Sequence, residues 1–209
     1  MDKIRKFLLP WGVKKAAYAI AAALLFALLD FELLSFLTLL LALFFLFAYR
    51  NPTRLQAAIS NYGVVSPVDG VVVEIEQIDD DEYRYKVVID SSMLQSGMLR
   101  VPFEAKKTSY KLQRGSRVSK VSPLFETLNE SLEALFENGE RKIKVKHRLK
   151  RSPLPIELLE KKSELKCCEL YGFAYDALSV LYLPREFRLN VHIGQQLASS
   201  QNIVGYFSK

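Results

Sequence analysis

The sequence predicts a mostly β (α+β) protein in which an N-terminal pair of membrane helices precedes a soluble domain. Two observations carry this prediction. Residues 16–49 are almost wholly apolar, whereas the rest of the 209-residue chain has the charge of an ordinary globular domain. After residue 62, short runs of β-branched and aromatic residues alternate with Gly-containing turns, as antiparallel strands do. We therefore divide the chain into a membrane anchor over 1–50 and a β domain over 51–209.

The anchor contains two apolar runs, AAYAIAAALLFALL (16–29) and LLSFLTLLLALFFLFAY (33–49), separated by an acidic spacer. Each run is slightly shorter than the ~20 residues of a full span. One helix through both would place Asp30 and Glu32 near the bilayer centre, which is costly. A helical hairpin with both acidic residues at its tip fits better. The sequence leaves open whether the hairpin crosses the membrane or enters one leaflet.

Basic residues flank both outer ends of the predicted hairpin: Lys3, Arg5, Lys6, Lys14, Lys15, Arg50 and Arg54. The positive-inside rule places these ends, and all that follows residue 50, in the cytoplasm. A cleaved signal peptide does not fit, because the apolar region is too long and no small-residue cleavage site follows it.

The β domain is predicted to contain ten short strands and one helix. The helix is expected over 123–137, because five apolar residues would share one of its sides: Leu124, Leu128, Leu132, Leu135 and Phe136. The strands are expected over 64–66, 71–78, 83–90, 98–101, 107–112, 142–149, 164–170, 178–183, 187–192 and 203–207.

The formal net charge of +6 favours an anionic partner. No basic patch with interleaved aromatic residues is present, so we expect membrane phospholipid and no nucleic acid. Two cysteines are too few for a structural zinc site. Cys167 and Cys168 are adjacent, and a disulfide between neighbours is strained, so we expect buried or idle thiols in a reducing compartment.

The segment RKIKVKHRLKR (141–151) alternates apolar and basic residues, which predicts one strand with a basic face. That face is either simply solvated or docks on anionic headgroups through Lys144, Lys146 and Arg148. His147 points to the apolar side, where we expect a core histidine rather than a base.

Two segments resemble the halves of a lipoyl- or biotinyl-type hybrid barrel: VVSPVDGVVVEIE (64–76) and FRLNVHIGQQLASSQNIVGYF (187–207). Neither turn contains a lysine, so a lipoyl or biotin carrier is not expected.

The order of several motifs resembles the short bacterial phosphatidylserine decarboxylases. The matching stretches are FAYRNPTR (47–54), VVSPVDGVVVEIEQ (64–77), the segment 89–117 and LYGFAYDALSVLYLP (170–184). This resemblance implies the bacterial inner (cytoplasmic) membrane and a phosphatidylserine-decarboxylase-like β domain. It also implies a proenzyme in which an Asp, a His and the Ser of a Gly-Ser pair cleave the chain. The Ser then becomes a pyruvoyl group, which is the electron sink for decarboxylation.

Only one of these family positions is retained. Asp69 matches the Asp, but the His falls on Gly97 and the Gly-Ser pair on Asp176 and Ala177. Alanine has no hydroxyl and cannot become pyruvoyl. We therefore expect a degenerate member without self-processing or cofactor, in which the Asp69 side chain caps the turn before Gly70.

Several alternatives stay open. An active decarboxylase could use the displaced Ser179 and carry pyruvoyl, although a shift of two residues moves the group by ~6–7 Å. The domain could instead be an interaction scaffold for another membrane protein. Arg100, which matches the family pattern, either holds a phosphate or carboxylate or pairs with an acidic residue of 79–82.

Overall fold

The computed structural model describes residues 7–57, 62–159 and 162–208. The predicted basic residues Lys3, Arg5 and Lys6 lie outside the described residues. The chain forms two compact units, Met1–Thr53 and Arg54–Lys209.

The described residues of the first unit include two long helices, α1 (Pro10–Leu28) and α2 (Glu32–Ala48), joined by a tight turn. Asp30 adopts a left-handed backbone in that turn, with φ of 58°. The Leu9 amide donates to the Tyr49 carbonyl at 3.2 Å, so the outer ends of the helices meet and the unit is an antiparallel hairpin.

Small residues let the two helices approach closely. The buried residues of α1 are all small: Gly12, Ala16, Ala19 and Ala23. The Ser35 hydroxyl of α2 donates to the Ala23 carbonyl at 2.9 Å. A Cβ at position 12 would overlap the side chain of Tyr49, which leaves room only for glycine. Large apolar side chains therefore face outward on both helices.

By length and composition, α1 could cross a membrane, whereas α2 is a shorter apolar helix. At 1.5 Å per residue, the 19 residues of α1 extend over about 28 Å, close to the thickness of a bilayer core. The N-terminal apolar helix is thus consistent with membrane anchoring.

The second unit is mostly β, as predicted. It contains one short helix, α3 (Phe125–Leu128), among the described residues. Its strands are β1 (Gly63–Val65), β2 (Gly70–Gln77), β3 (Tyr83–Asp90), β4 (Met98–Arg100), β5 (Lys107–Gln113), β6 (Ser131–Asn138), β7 (Arg141–Leu149), β8 (Glu157–Leu158), β9 (Leu170–Phe173), β10 (Ala177–Pro184), β11 (Phe187–Leu189), β12 (Gln196–Leu197) and β13 (Ile203–Phe207).

Seven strands form the central antiparallel sheet, in the order β12-β2-β3-β10-β7-β6-β5. Two three-stranded sheets, β1-β13-β11 and β4-β9-β8, accompany it. The two segments that resemble a hybrid barrel do meet, since β1 pairs with β13 and β2 with β12. These sheets remain open, however, so a closed hybrid barrel is not confirmed.

The core lies on one face of the central sheet. Alternate residues of the inner strands are fully buried there, including Ile89, Phe136, Val145 and Leu181. Burial of one such side chain contributes about 1.5–3 kcal/mol. The strand that contains Ala177, β10, lies in the middle of this sheet and pairs with a neighbour on each edge.

The predicted helix over 123–137 is wrong beyond its first turns. Only residues 125–128 are helical, and 131–138 form β6, paired along its whole length with β5 and β7. Leu132, Ala134 and Phe136 are fully buried at a spacing of two, which the helical spacing of the leucines had masked. Pairing on both edges outweighs the local helix preference.

Three other differences concern short strands. β8 and β12, each of two residues, were not predicted, and the strand expected over 164–170 lies at 170–173 instead. Cys168 has φ of 66° and Glu169 closes a turn onto Lys166, so the chain cannot continue an extended run through 164–169.

Candidate functional site at the Asp69 end of the sheet

Asp69 lies just before β2 and is almost fully buried. Its Oδ1 accepts a hydrogen bond from the Ser199 amide at 2.8 Å, and its Oδ2 forms an ion pair with Arg54. The Asp69 carbonyl accepts a hydrogen bond from the Ser91 hydroxyl. This one residue therefore joins three segments that are far apart in the sequence.

The prediction that the Asp69 side chain caps its own turn is wrong. The Ser66 hydroxyl closes that turn by donating to the Val68 carbonyl at 2.7 Å. Arg54, which the sequence analysis treated only as a flanking charge, also donates to Gln201 Oε1 at 3.3 Å. Asp69 thus connects segments that are distant in the sequence and does not cap its own turn.

Arg100, at the end of β4, lies beside the Arg54–Asp69 ion pair. Its amide donates to the Pro67 carbonyl at 2.9 Å, and its guanidinium donates to the Cys168 carbonyl at 3.1 Å. Burial lowers the pKa of Arg100; Cys168 opposes this shift, and the neighbouring cation Arg54 adds to it. Two partly buried arginines therefore stand next to one carboxylate.

The alternative prediction, in which Arg100 pairs with an acidic residue of 79–82, is wrong. That turn follows the far end of β2, and eight residues of strand extend over about 25 Å. Its acidic side chains meet other cations: Glu82 pairs with Lys142 at 3.0 Å, and Asp81 with Arg185 at 3.9 Å.

The three positions that the resemblance marks lie at this same end of the sheet. The Ser91 amide donates to the Ala177 carbonyl at 3.0 Å, while its hydroxyl bonds the Asp69 carbonyl. The Gly97 carbonyl accepts from the Ala174 amide at 2.8 Å, three residues before Ala177. Ser91 therefore connects Asp69 to Ala177, and Gly97 is bonded to the segment that leads into Ala177.

The residues now at two of these positions cannot act as nucleophile or base. Ala177 has only a methyl group, and it is buried in the core. A Cβ at Gly97 would lie 2.8 Å from the Phe173 ring, so an imidazole would require that ring to move. Asp176 occupies the family glycine position with φ of 52°, a left-handed backbone that Asp tolerates better than most residues.

A buried polar network lies further along β10. His147 Nδ1 is 2.8 Å from Ser179 Oγ, and its Nε2 is 2.6 Å from the Tyr171 hydroxyl. Burial lowers the pKa of His147 to about 3 and raises that of Tyr171 well above its usual value. His147 is therefore a neutral core histidine, as predicted.

The strand β7 alternates as predicted, but its basic residues differ in setting. Lys144 Nζ lies 4.8 Å and 4.5 Å from the ring centroids of Tyr83 and Tyr182. Lys146 stands opposite Glu133 of β6 and is half-exposed. Both cations remain at the surface of the sheet.

Arg148, the third predicted lipid contact, is buried. Its guanidinium donates to the Glu126 carbonyl at 2.7 Å and lies 5.6 Å from the centre of the Phe125 ring. The one-turn helix α3 covers it, so the exposed basic face is shorter than the alternation indicated.

Sequence reasoning missed a charge cluster beside Ala177. Lys150 Nζ lies 2.5 Å from Asp90 Oδ1 and 3.0 Å from Asp176 Oδ1, and Lys120 Nζ is 3.0 Å from Asp90 Oδ2. Hydrogen bonds from the lysines lower the pKa of Asp90 against its burial. No motif marks these residues, since only the pairing of β3, β7 and β10 brings them together.

The described residues contain no group of three or more His, Cys, Asp and Glu side chains that could hold a metal ion. At the Asp69 end, the chemistry present is that of two guanidinium groups, one carboxylate and several hydroxyls. Guanidinium groups suit phosphate and carboxylate ligands.

The fold and site define a mostly β domain with an apolar helical N-terminus, organised around a buried carboxylate. The sequence profile of the phosphatidylserine decarboxylase family matches residues 41–143. A phosphatidylserine decarboxylase proenzyme of Amoebophilus asiaticus (strain 5a2) is 34% identical over 100 residues, which are 46% of this chain. These two matches support membership of the phosphatidylserine decarboxylase family over the residues that they cover.

The alignment spans 44% of the length of that curated relative. No solved structure matches the chain.

Proposed function

We propose that this chain is a membrane-anchored member of the family that does not process itself and binds phospholipid at the membrane surface. We infer the absence of self-processing from Ala177, which occupies the processing position and has no hydroxyl. Self-cleavage needs a nucleophile, a base and a group that orients the base. Asp69 has both carboxylate oxygens engaged by Arg54 and Ser199, and Gly97 offers no imidazole.

The alternative, self-processing at Ser179, gains support from the 2.8 Å contact with His147. Three features argue against it. The lowered pKa of His147 makes it a weak base. The Tyr171 hydroxyl can donate to Nε2, in which case Nδ1 carries the proton and cannot accept one. Ser179 also pairs with both β3 and β7, so cleavage there would break a central strand.

Full-length protein should therefore be one chain of 23.9 kDa by intact mass. The matched variant Ser179→Ala should have the same mass apart from the missing oxygen. Ala177→Ser should also remain intact, because the restored hydroxyl has neither base nor free carboxylate beside it. Two chains that separate near residues 176–179, with a carbonyl that reacts with hydroxylamine, would establish the active alternative.

For the second half of the proposal, exposed apolar side chains beside the Asp69 end support contact with lipid. Val121 is 87% exposed and Leu94 is 78% exposed, and we call these two, with Met93 and Leu124, the loop surface. Hydrogen bonds attach both loops to the sheet: Lys120 donates to Asp90, and the Tyr175 hydroxyl donates to the Met93 carbonyl at 2.6 Å.

The cations around this surface favour an anionic bilayer as the occupant. Lys120 is 58% exposed and Arg151 is exposed, whereas Lys150 is held between two aspartates. Arg54, the first residue of the β unit, pairs with Asp69 at this end of the sheet. Apolar side chains with a basic rim are typical of interfacial lipid contact.

Backbone amides of 118–124 should exchange hydrogen several-fold more slowly in full-length protein in anionic-lipid nanodiscs than in zwitterionic ones. Lys120→Glu with Arg151→Glu should remove the difference, because each cation near an anionic surface contributes about 1 kcal/mol. Lys111→Glu, an exposed cation on the edge strand β5, is the control. Equal exchange in both kinds of disc would contradict the proposal. Protection that appears only with a co-purifying protein would favour the scaffold alternative.

This proposal places the domain on the cytoplasmic face of a bacterial inner membrane. Support comes from the cations of the described part of the anchor, Lys14, Lys15 and Arg50, which all lie at its open end. The Asp30 turn is then at the opposite side or within the bilayer.

A further inference from the structure

The two adjacent cysteines lie against the candidate site rather than in a distant loop. Their Sγ atoms are 3.7 Å apart, in the segment between β8 and β9. The Cys168 amide donates to the Val101 carbonyl at 2.9 Å, and the Cys168 carbonyl accepts from Arg100. Cys168 is buried and Cys167 is half-buried.

The surroundings make the pair chemically unequal. The hydrogen bond with the Cys167 thiol and the charge of Arg100 lower the pKa of Cys168. The hydrogen bond with the Cys168 sulfur, together with burial, raises the pKa of the Cys167 thiol. The thiolate form is therefore favoured at Cys168 over Cys167, and the thiolate is the nucleophilic form.

We propose that Cys167 and Cys168 are an oxidation site, which closes to a vicinal disulfide when the protein meets a hydroperoxide. The Cys168 thiolate attacks the peroxide oxygen, which breaks the O–O bond and releases water or an alcohol after protonation. The sulfur of Cys167 then attacks the resulting sulfenic acid; Cys167 loses its proton, the S–O bond breaks and water leaves. Two electrons pass from the two sulfurs to the peroxide; one proton comes from the Cys167 thiol and the other from solvent.

The geometry makes this disulfide a reversible modification rather than a structural bridge. Adjacent Cα atoms are ~3.8 Å apart, which is shorter than the ~4.4–6.8 Å of ordinary disulfides. Strained disulfides are reduced readily. The sulfurs also have to approach to ~2.05 Å, which shifts the turn that holds the Cys168 carbonyl. Oxidation therefore alters the acceptor of Arg100 and removes the thiolate charge beside it.

The test treats reduced full-length protein with a small excess of hydrogen peroxide at neutral pH and measures intact mass. We expect a loss of about 2 Da and the disappearance of both alkylatable thiols, with full recovery after dithiothreitol. Cys167→Ser should lose the 2 Da change and instead gain a sulfenic acid that dimedone traps at Cys168. In Cys168→Ser, the remaining thiol should react several-fold more slowly.

Two outcomes would overturn the proposal: thiols that both remain alkylatable after peroxide, or a disulfide-linked dimer in place of the internal bond. The oxidation itself does not depend on phospholipid binding. Any effect of oxidation on lipid contact rests on the proposed function, and is measured separately as a change in binding of full-length protein to anionic-lipid nanodiscs before and after peroxide. If the disulfide forms and lipid binding is unchanged, oxidation does not regulate lipid contact, although Cys167 and Cys168 are still an oxidation site.

Discussion

Replacing Asp69 by alanine should lower the free energy of unfolding by about 3–5 kcal/mol, because the change breaks a buried ion pair and leaves one charge without its partner. The side chains of Arg54 and Asp69 are only 18% and 7% exposed, and the Ser199 amide would also lose its acceptor. For a chain of this size, we expect the melting temperature of the full-length protein to fall by roughly 6–20 °C.

Asparagine at the same position separates the two roles considered for Asp69. A turn cap would tolerate Asp69→Asn at a cost of about 0–1 kcal/mol, since Asn supplies the same acceptor. A long-range ion pair would lose its charge, and we expect a cost of about 2 kcal/mol, with the bond to Ser199 retained.

The control for both variants is Asp79→Ala, an exposed carboxylate in the turn after β2, which should cost less than about 0.5 kcal/mol. Arg54→Ala combined with Asp69→Ala should cost less than the sum of the single changes, as expected for residues in contact. If Asp69→Ala lowers the free energy of unfolding no more than the control does, the ion pair with Arg54 does not stabilise the fold.

Glu130→Ala should be the second strongly destabilising change, at about 3 kcal/mol. The Glu130 side chain is 3% exposed and pairs with Arg114 and Arg117, while its Oε1 also accepts from the Ile156 amide at 3.1 Å. An unpaired buried amide alone costs about 1–3 kcal/mol. The arginines are 60% and 29% exposed and can reach water, so their loss of a partner adds less.

Thermal unfolding of the full-length chain measures this effect, with Glu140→Ala, an exposed residue of the β6–β7 turn, as the control. Glu130→Gln should cost less than alanine, because its side-chain oxygen can still accept from Ile156. Equal stability of Glu130→Ala and Glu140→Ala would show that the cluster contributes nothing measurable.

Local sequence patterns predicted most of the strands correctly. Runs such as 71–78, 83–90 and 178–183 are continuous, β-branched and bounded by turn residues, so their local preference and their tertiary role agree. The segment 131–138 failed because its leucines satisfy a helical spacing and a strand spacing at once. Nothing local decides between them, whereas the edges of β5 and β7 do.

The sequence by itself determined the two-part layout, the apolar N-terminus, the mostly β domain and the missing hydroxyl at position 177, because composition and residue identity are local properties. Only the tertiary structure decided the partners of the charged residues. Arg54 and Asp69, Glu130 and Arg114, and Lys150 and Asp90 are separated by 15, 16 and 60 positions. Ion pairs depend on distance in space, which the register of the sheet sets and which no spacing along the chain specifies.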